Sequence, residues 1–269
     1  MDLNPDMFPP GPMNKVTAKK RLGQHFLKDA KIARGISDLL SGEGYHSVLE
    51  IGPGMGILTR YLMQKSFADF RIIEIDHESV NYLQGKFPGL TSLIEGDFLK
   101  LDIDKLFPGP LALVGNFPYN ISSQIMFKVL GYRHKIVEVT GMFQKEVAER
   151  ICSAPGSKTY GILSVLLQAF YKTSYMFTVS EKVFSPPPKV KSGVIQLTRN
   201  DTEQLQCDEE LFFRVVKACF NQRRKILRNS VRAAFRLTSD DYPELHLRPE
   251  QLSVSQFINL TNWISENRL

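Results

Sequence analysis

Glu50-Ile51-Gly52-Pro53-Gly54-Met55-Gly56 closes the short apolar run 47–51 and opens at once into a segment of helical period starting at Ile57. A strand that ends in spaced glycines and passes straight into a helix is how an open α/β sheet builds a nucleotide-type pocket. Glycine permits the sharp turn and lets a ligand lie against bare backbone at the carboxyl edge of the sheet. Working outward, apolar runs bounded by turn residues predict further strands at 71–75, 92–95, 111–114, 136–143, 175–179 and 193–197. Helical period fills the intervals at 57–65, 78–85, 122–130, 145–151 and 162–170. Such alternation predicts an α/β fold with a parallel sheet.

Beyond Arg199 the pattern changes. The polar, acidic stretch 200–210 reads as a linker, and the remainder of the chain has helical period at 209–220, 223–236 and 255–267, with a short turn at 249–252. The expected organisation is a disordered, proline-containing tail over 1–14, an α/β domain over 15–200 and a smaller all-helical domain over 201–269. Two loops stand out, 153–159 and 185–189, the latter with three consecutive prolines, Pro186, Pro187 and Pro188.

Of the 269 residues, 43% are hydrophobic and 23% charged, which excludes an intrinsically disordered chain. Cys152, Cys207 and Cys219 are far apart, with no C-x-x-C pair, so neither a metal site nor a disulfide framework is expected and a reducing cytoplasm fits best. No basic stretch leads into an apolar core near Met1, and the longest apolar run, 161–171, is interrupted by Gln168. It is too short for the roughly 20 residues of a membrane span. Net charge is +6 and is unevenly placed. Between Phe212 and Arg236 stand Arg214, Lys217, Arg223, Arg224, Lys225, Arg228, Arg232 and Arg236, with no Asp or Glu. From Lys15 to Arg34, a run that includes Lys20 and Arg21, the only acid is Asp29. One-signed patches of this kind point to a nucleic-acid partner.

The remaining strand ends are polar. The second ends Glu74-Ile75-Asp76, and an acid at that place accepts hydrogen bonds from ribose hydroxyls of either a nicotinamide cofactor or S-adenosylmethionine. Glu74 is the better ribose ligand, because Asp76 fits the cap of the next helix. The third leads to Gly96-Asp97-Phe98, where Asp97 can accept a cofactor amino group and Phe98 can pack on its ring. At this point a dehydrogenase and a methyltransferase both remain open.

The fourth strand decides between them, since it runs into Asn116-Phe117-Pro118-Tyr119. The exocyclic amino nitrogen of adenine is a poor nucleophile, because its lone pair is delocalised into the ring. Two acceptors on its hydrogens aim that lone pair outward. The Asn116 side-chain oxygen supplies one, the backbone carbonyl of Phe117 or Pro118 the other, and Pro118 stiffens the turn. Tyr119 stacks on the extruded base, a contact worth roughly 1–3 kcal/mol in comparable systems. A dehydrogenase has no use for such a tetrapeptide.

These motifs together resemble the ribosomal RNA adenine N6,N6-dimethyltransferases, over about Lys19 to Val231. Lys20-Arg21-Leu22-Gly23-Gln24-His25-Phe26-Leu27 is similar to that family's amino-terminal signature, which implies that His25 and Leu27 touch the cofactor. The family more often has Asn in place of His25. The resemblance also implies that Gly52, Glu74 and Asp97 bind S-adenosylmethionine on a Rossmann-like sheet, where the residue reading adds Gly54 and Phe98, that Asn116 is catalytic and contacts the cofactor, and that Phe117, in place of the usual Leu or Ile, points into the core. Phe184-Ser185-Pro186-Pro187-Pro188-Lys189-Val190-Lys191-Ser192 is similar to the family's second aromatic loop, implying that Phe184 stacks on the base opposite Tyr119.

The family has a housekeeping branch, acting on two adjacent adenosines near the 3′ end of small-subunit rRNA, and a macrolide-resistance branch acting on large-subunit rRNA. The stretch 219–230 resembles the first. In a helix, Arg224, Arg228, Arg232 and Arg236 recur every four residues as one cationic stripe, which with Arg223 and Lys225 suits rRNA phosphates, while Ile226, Leu227, Val231 and Ala234 make apolar contacts. The partner so implied is small-subunit rRNA in an immature small ribosomal subunit, met by a monomer. A catalytically silent assembly factor using the same basic surface is the remaining rival.

Overall fold

A computed structural model describes residues 16–269, so the expected tail and Lys15 lie outside the described residues. In chain order the elements are β1 (Phe26–Leu27), α1 (Ala30–Asp38), β2 (Ser47–Ile51), α2 (Ile57–Leu62), β3 (Asp69–Glu74), α3 (His77–Lys86), β4 (Leu93–Glu95), α4 (Ile103–Leu106), β5 (Leu111–Asn116) and α5 (Ser122–Gly131). They continue with β6 (Ile136–Gln144), α6 (Lys145–Cys152), α7 (Ile162–Gln168), β7 (Tyr171–Val179), β8 (Phe184–Ser185), β9 (Ser192–Arg199), α8 (Glu209–Asn221), α9 (Leu227–Ala234) and α10 (Val254–Asn267).

Seven strands form one sheet in the order β4-β3-β2-β5-β6-β9-β7. The pairs β2–β3, β2–β5, β3–β4 and β5–β6 are parallel, and β9 runs antiparallel to β6. All five residues of β2 are buried, as a central strand of a parallel sheet requires when both faces are covered. The chain moves outward from β2 to β3 and β4 on one side, then returns to place β5 and β6 on the other. The boundary between β2 and β5 is therefore the topological switch point, where open α/β sheets bind ligands. Gly115 allows the two strand ends to close up there, since a Cβ on it would meet the Ile51 carbonyl at 2.5 Å.

Three features escape the sequence pattern, one of them the single-turn helix α4. Helix α1 was hidden inside the amino-terminal charge cluster: Asp29 is its N-cap, accepting from the backbone N–H of Lys31 at 2.8 Å and Ile32 at 3.2 Å, while Ala33, Ile36 and Ser37 face inward. β1 and β8 form a separate antiparallel pair, with Leu27 opposite Phe184. Both side chains join a core cluster with Ile36, Val48, Val114 and Met142.

The chain divides into two compact units. One runs to Ala148 and takes in Ser174–Thr198; the other comprises Glu149–Thr173 and Arg199–Leu269. The stretch 149–173, placed by its sequence period with the sheet, thus groups with the carboxyl-terminal helices. In that second unit α8 is capped by Asp208 and buries Leu211, Phe212, Val215, Val216, Cys219 and Phe220, while α10 starts with a Ser253–Gln256 capping box and buries Phe257, Leu260 and Ile264. The helix expected over 223–236 shortens to α9. Gln222 through Lys225 form a turn, Ile226 is extended, and Phe235 is extended again at the far end. There the Lys225 N–H bonds the Gln222 carbonyl in the turn, and the Leu227 N–H bonds the Leu247 carbonyl, both at 2.8 Å, in place of helical partners. No helix of the described residues is long and apolar enough to cross a membrane.

Candidate active site

A cleft opens at the switch point, lined on the cofactor side by Gly52, Gly54, Glu74 and Ile75 and on the other by Asn116, Pro118 and Tyr119. Its roof is the segment Leu22–Phe26. Gly54 has φ +55, and a Cβ there would meet the Phe26 ring at 2.8 Å, so both the turn and the close passage of the roof need glycine. The Gly54 N–H donates to Glu74 Oε2 at 3.2 Å, and Oε1 accepts from the N–H groups of Ile75 and Asp76, each at 2.9 Å. Burial raises the Glu74 pKa, while those backbone donors oppose the rise. Beneath the loop Glu50 is almost fully buried, and burial, reinforced by the Glu74 charge, pushes it up to about 8.

Asp76 begins α3, yet its carboxylate serves the roof. It binds the Lys19 ammonium, accepts from Ser79 Oγ at 3.0 Å and from Gln24 Nε2 at 3.5 Å. Burial alone would raise its pKa, but the bonds from Lys19, Ser79 and Gln24 outweigh burial and hold it low. The roof is fixed a second time at the tetrapeptide: Asn116 Nδ2 donates to the His25 carbonyl at 2.9 Å. A third tie joins His25 Nδ1 to the Pro186 carbonyl at 2.8 Å.

The bond to the His25 carbonyl sets the orientation of the Asn116 amide. A carbonyl can only accept, so the amide nitrogen must face it and the Oδ1 atom is turned away, free to accept from a substrate amino group. Of the two carbonyls considered for the second acceptor, that of Pro118 already takes bonds from Ser122 Oγ at 3.1 Å and the Ile121 N–H at 3.3 Å. The choice therefore falls on Phe117. Its side chain points into the core, stacked on Phe143 with ring centroids 4.7 Å apart. Tyr119 is half-buried, its hydroxyl 2.5 Å from Ser192 Oγ and its ring 5.5 Å from that of His25. Burial raises its pKa.

Several expected site residues lie elsewhere. Phe184 is 1% exposed, packed in the core beside Leu27, and does not face Tyr119 as a stacking partner. Leu27, 5% exposed, likewise offers no side chain to the cleft. Phe98 is buried beneath the Lys128 ammonium, 5.2 Å from its ring centre. Asp97 is half-buried with Oδ1 accepting from the Leu99 N–H at 2.9 Å, and it caps the short 3-10 turn after β4 rather than lining the cleft. Hydrophobic residues next to a motif are drawn to the nearest core, which is what moves Leu27, Phe98 and Phe184 inward. Ile75 was not singled out by sequence, yet it stands 50% exposed on the cleft wall between Glu74 and Asp76. An apolar side chain directly after an acid at a strand end was its only signal.

In the second unit the predicted stripe breaks up, because only Arg228 and Arg232 fall on α9. Arg232 is bound to Asp240, and Arg223 donates to the Lys158 carbonyl. Arg224, Lys225 and Arg228 are exposed, while Ala234 and Ile226 are exposed rather than packed. In the first unit Lys20 and Arg21 are exposed as expected.

A parallel sheet with a glycine loop at its switch point, an acid at the neighbouring strand end and an oriented Asn on the next is the construction of a Rossmann-like methyltransferase. Solved structures agree on the fold: a dimethyladenosine transferase from Plasmodium falciparum aligns with TM-score 0.74 at 24% identity, covering 91% of this chain and 100% of that one. The 23S rRNA methyltransferase ErmE aligns with TM-score 0.67 at 25% identity, covering 89% and 99%. The chain belongs to the ribosomal RNA adenine dimethylase family, whose sequence model matches residues 15–266. It is 58% identical over 252 residues to the ribosomal RNA small subunit methyltransferase A of Parabacteroides distasonis, covering 93% of this chain and 94% of that one. Identity to the protein of that name from Flavobacterium johnsoniae is 59% over 257 residues, covering 94% and 97%.

Proposed function

We propose that the protein transfers methyl groups from S-adenosylmethionine to the exocyclic amino groups of two adjacent adenosines near the 3′ end of small-subunit rRNA during ribosome biogenesis. The observation that carries the chemistry is the Asn116 amide, held by the His25 carbonyl so that its oxygen faces out beside the glycine loop. The small subunit is favoured over the large by the relatives at 54–59% identity, all bearing the name ribosomal RNA small subunit methyltransferase A.

The cleft suits the adenosine part of the cofactor: a carboxylate at Glu74, bare backbone at Gly52 and Gly54, and an exposed apolar wall at Ile75. Bound there, S-adenosylmethionine supplies a methyl group activated by its sulfonium. Asn116 Oδ1 and the Phe117 carbonyl accept from the two amino hydrogens in the first transfer, and one of them from the hydrogen that remains in the second, steering the nitrogen lone pair out of conjugation. Each transfer leaves the cofactor as its neutral thioether and releases the nitrogen's surplus proton to water. Tyr119 holds the base from one face, and Pro118 keeps the two acceptors in register. His25 acts through its backbone carbonyl and its bond to Pro186, and Leu27 anchors the roof from the core. Beyond the lined cleft, the second oxygen of Asp97 is assigned to the cofactor amino group, its first being held by the Leu99 N–H. Most of the rate enhancement comes from positioning.

The sheet unit does the chemistry and the helical unit helps dock a monomer on an immature small subunit in the cytoplasm, with Arg224, Lys225 and Arg228 as its exposed cations and Lys20 and Arg21 contributing from the roof. Incubating purified protein with S-adenosylmethionine and small subunits bearing unmethylated rRNA should yield dimethyladenosine, detected by mass spectrometry of digested rRNA. A silent assembly factor would yield none.

A further inference from the structure

The cleft is not the whole of the carboxyl edge. A second groove of about 570 Å³ abuts it and shares His25 and Tyr119 with it. One wall is the roof segment around Lys20, the other the loop Pro186–Val190, and Gln144 lines it from the end of β6. The bond from His25 to the Pro186 carbonyl and the pairing of β1 with β8 brace the two walls against each other, so the groove is formed in advance of any occupant.

Its chemistry is selective. Lys20 and Lys189 are both exposed, and no Asp or Glu lines it. Val190 stands 46% exposed near the exposed Pro186 and Pro187, giving flat apolar surface. The Gln144 amide offers one donor and one acceptor side by side, the arrangement that pairs with the N6 and N7 edge of adenine. Cations, a flat apolar wall and a bidentate amide together match a nucleotide with its phosphates. Because Tyr119 borders both spaces, the occupant must lie next to the extruded base.

We propose that this groove binds the nucleotide adjoining the target adenosine in the same RNA strand, with Lys20 and Lys189 on its phosphates and Gln144 on its base edge. The assignment rests on the function proposed above and deepens it: while a target adenosine is in the cleft, the nucleotide next to it in the strand is held in the groove.

The test uses small subunits whose unmethylated rRNA carries either adenosine or uridine beside one target, comparing the unaltered protein with Lys189→Ala and Gln144→Leu. The unaltered protein should methylate the target beside adenosine about ten-fold more efficiently than beside uridine, and Gln144→Leu should level the two. Lys189→Ala should raise KM for subunits by about three- to ten-fold and lower the slope of log affinity against log salt by about one. Calorimetric affinity for S-adenosylmethionine should stay within about two-fold in both variants, because neither side chain lines the cofactor cleft. A preference for adenosine that survives Gln144→Leu, or a salt slope that survives Lys189→Ala, overturns the groove assignment while leaving the enzyme intact. If the unaltered protein makes no dimethyladenosine on unaltered subunits, the proposed function fails and the groove assignment falls with it.

Discussion

Replacing Asn116 separates the two jobs that its amide performs. In Asn116→Ala the outward acceptor is lost. Removing one preorganised polar group of an acyl-transfer site lowers kcat by about 10²–10³-fold, or roughly 2.7–4 kcal/mol, and a similar loss is expected here because the acceptor acts as the nitrogen pyramidalises. The same substitution strips the half-buried His25 carbonyl of its 2.9 Å donor, which costs about 1–3 kcal/mol of stability. Asn116→Asp keeps an acceptor but sets a carboxylate against that carbonyl, so the group must rotate and its aim is lost. Both variants should therefore be slow in single-turnover methyl transfer on subunits, with calorimetric cofactor affinity within a few-fold of the unaltered protein. Near-normal turnover in Asn116→Asp would show that the His25 carbonyl does not orient the amide. Loss of cofactor affinity equal to the loss of rate would show that Asn116 serves binding.

Three further outcomes are expected from the geometry. Glu50, pushed up to about 8, holds its proton in the folded chain at pH values where the unfolded chain has released it, so its contribution to stability is present below about 4.5 and is lost as pH rises through about 8. Glu50→Gln should therefore flatten the fall in melting temperature between pH 5 and 9 in cofactor-free protein, and an unaltered fall would remove Glu50 as its source. Gly54→Ala should cost about 1–2 kcal/mol for the left-handed backbone alone, read from denaturant midpoints, with more from the displaced Phe26 ring; an unchanged midpoint would mean that roof and loop part freely. Arg224→Glu with Arg228→Glu should abolish subunit binding at physiological salt while the fold persists, whereas Arg232→Ala, whose guanidinium is already bound to Asp240, should weaken binding less; equal effects of the two changes would refute the distinction between exposed and paired cations.

The parts of this molecule legible in its sequence are those that depend on near neighbours. Gly52 to Gly56, the Glu74 strand end and Asn116-Phe117-Pro118-Tyr119 each lie at a strand terminus, and the period of the flanking residues fixes the sheet that carries them to one edge. What stayed hidden depends on contacts far along the chain. Asn116 is oriented by a carbonyl 91 residues earlier, and His25 reaches a carbonyl 161 residues later. The stacking role of Phe184 was implied only by the resemblance of its loop to the family's second aromatic loop, yet a large apolar ring next to a ready core is stabilised by entering it, and the pairing of β8 with β1 delivers it there. The arginine stripe failed for a related reason. A four-residue spacing makes a stripe only if one helix spans it, and with the Leu227 N–H drawn to the Leu247 carbonyl, α9 starts only after Arg224 has been passed. The same carboxyl edge thus holds both outcomes: residue types fix which atoms the chemistry requires, and long-range hydrogen bonds decide which of the matching residues present them.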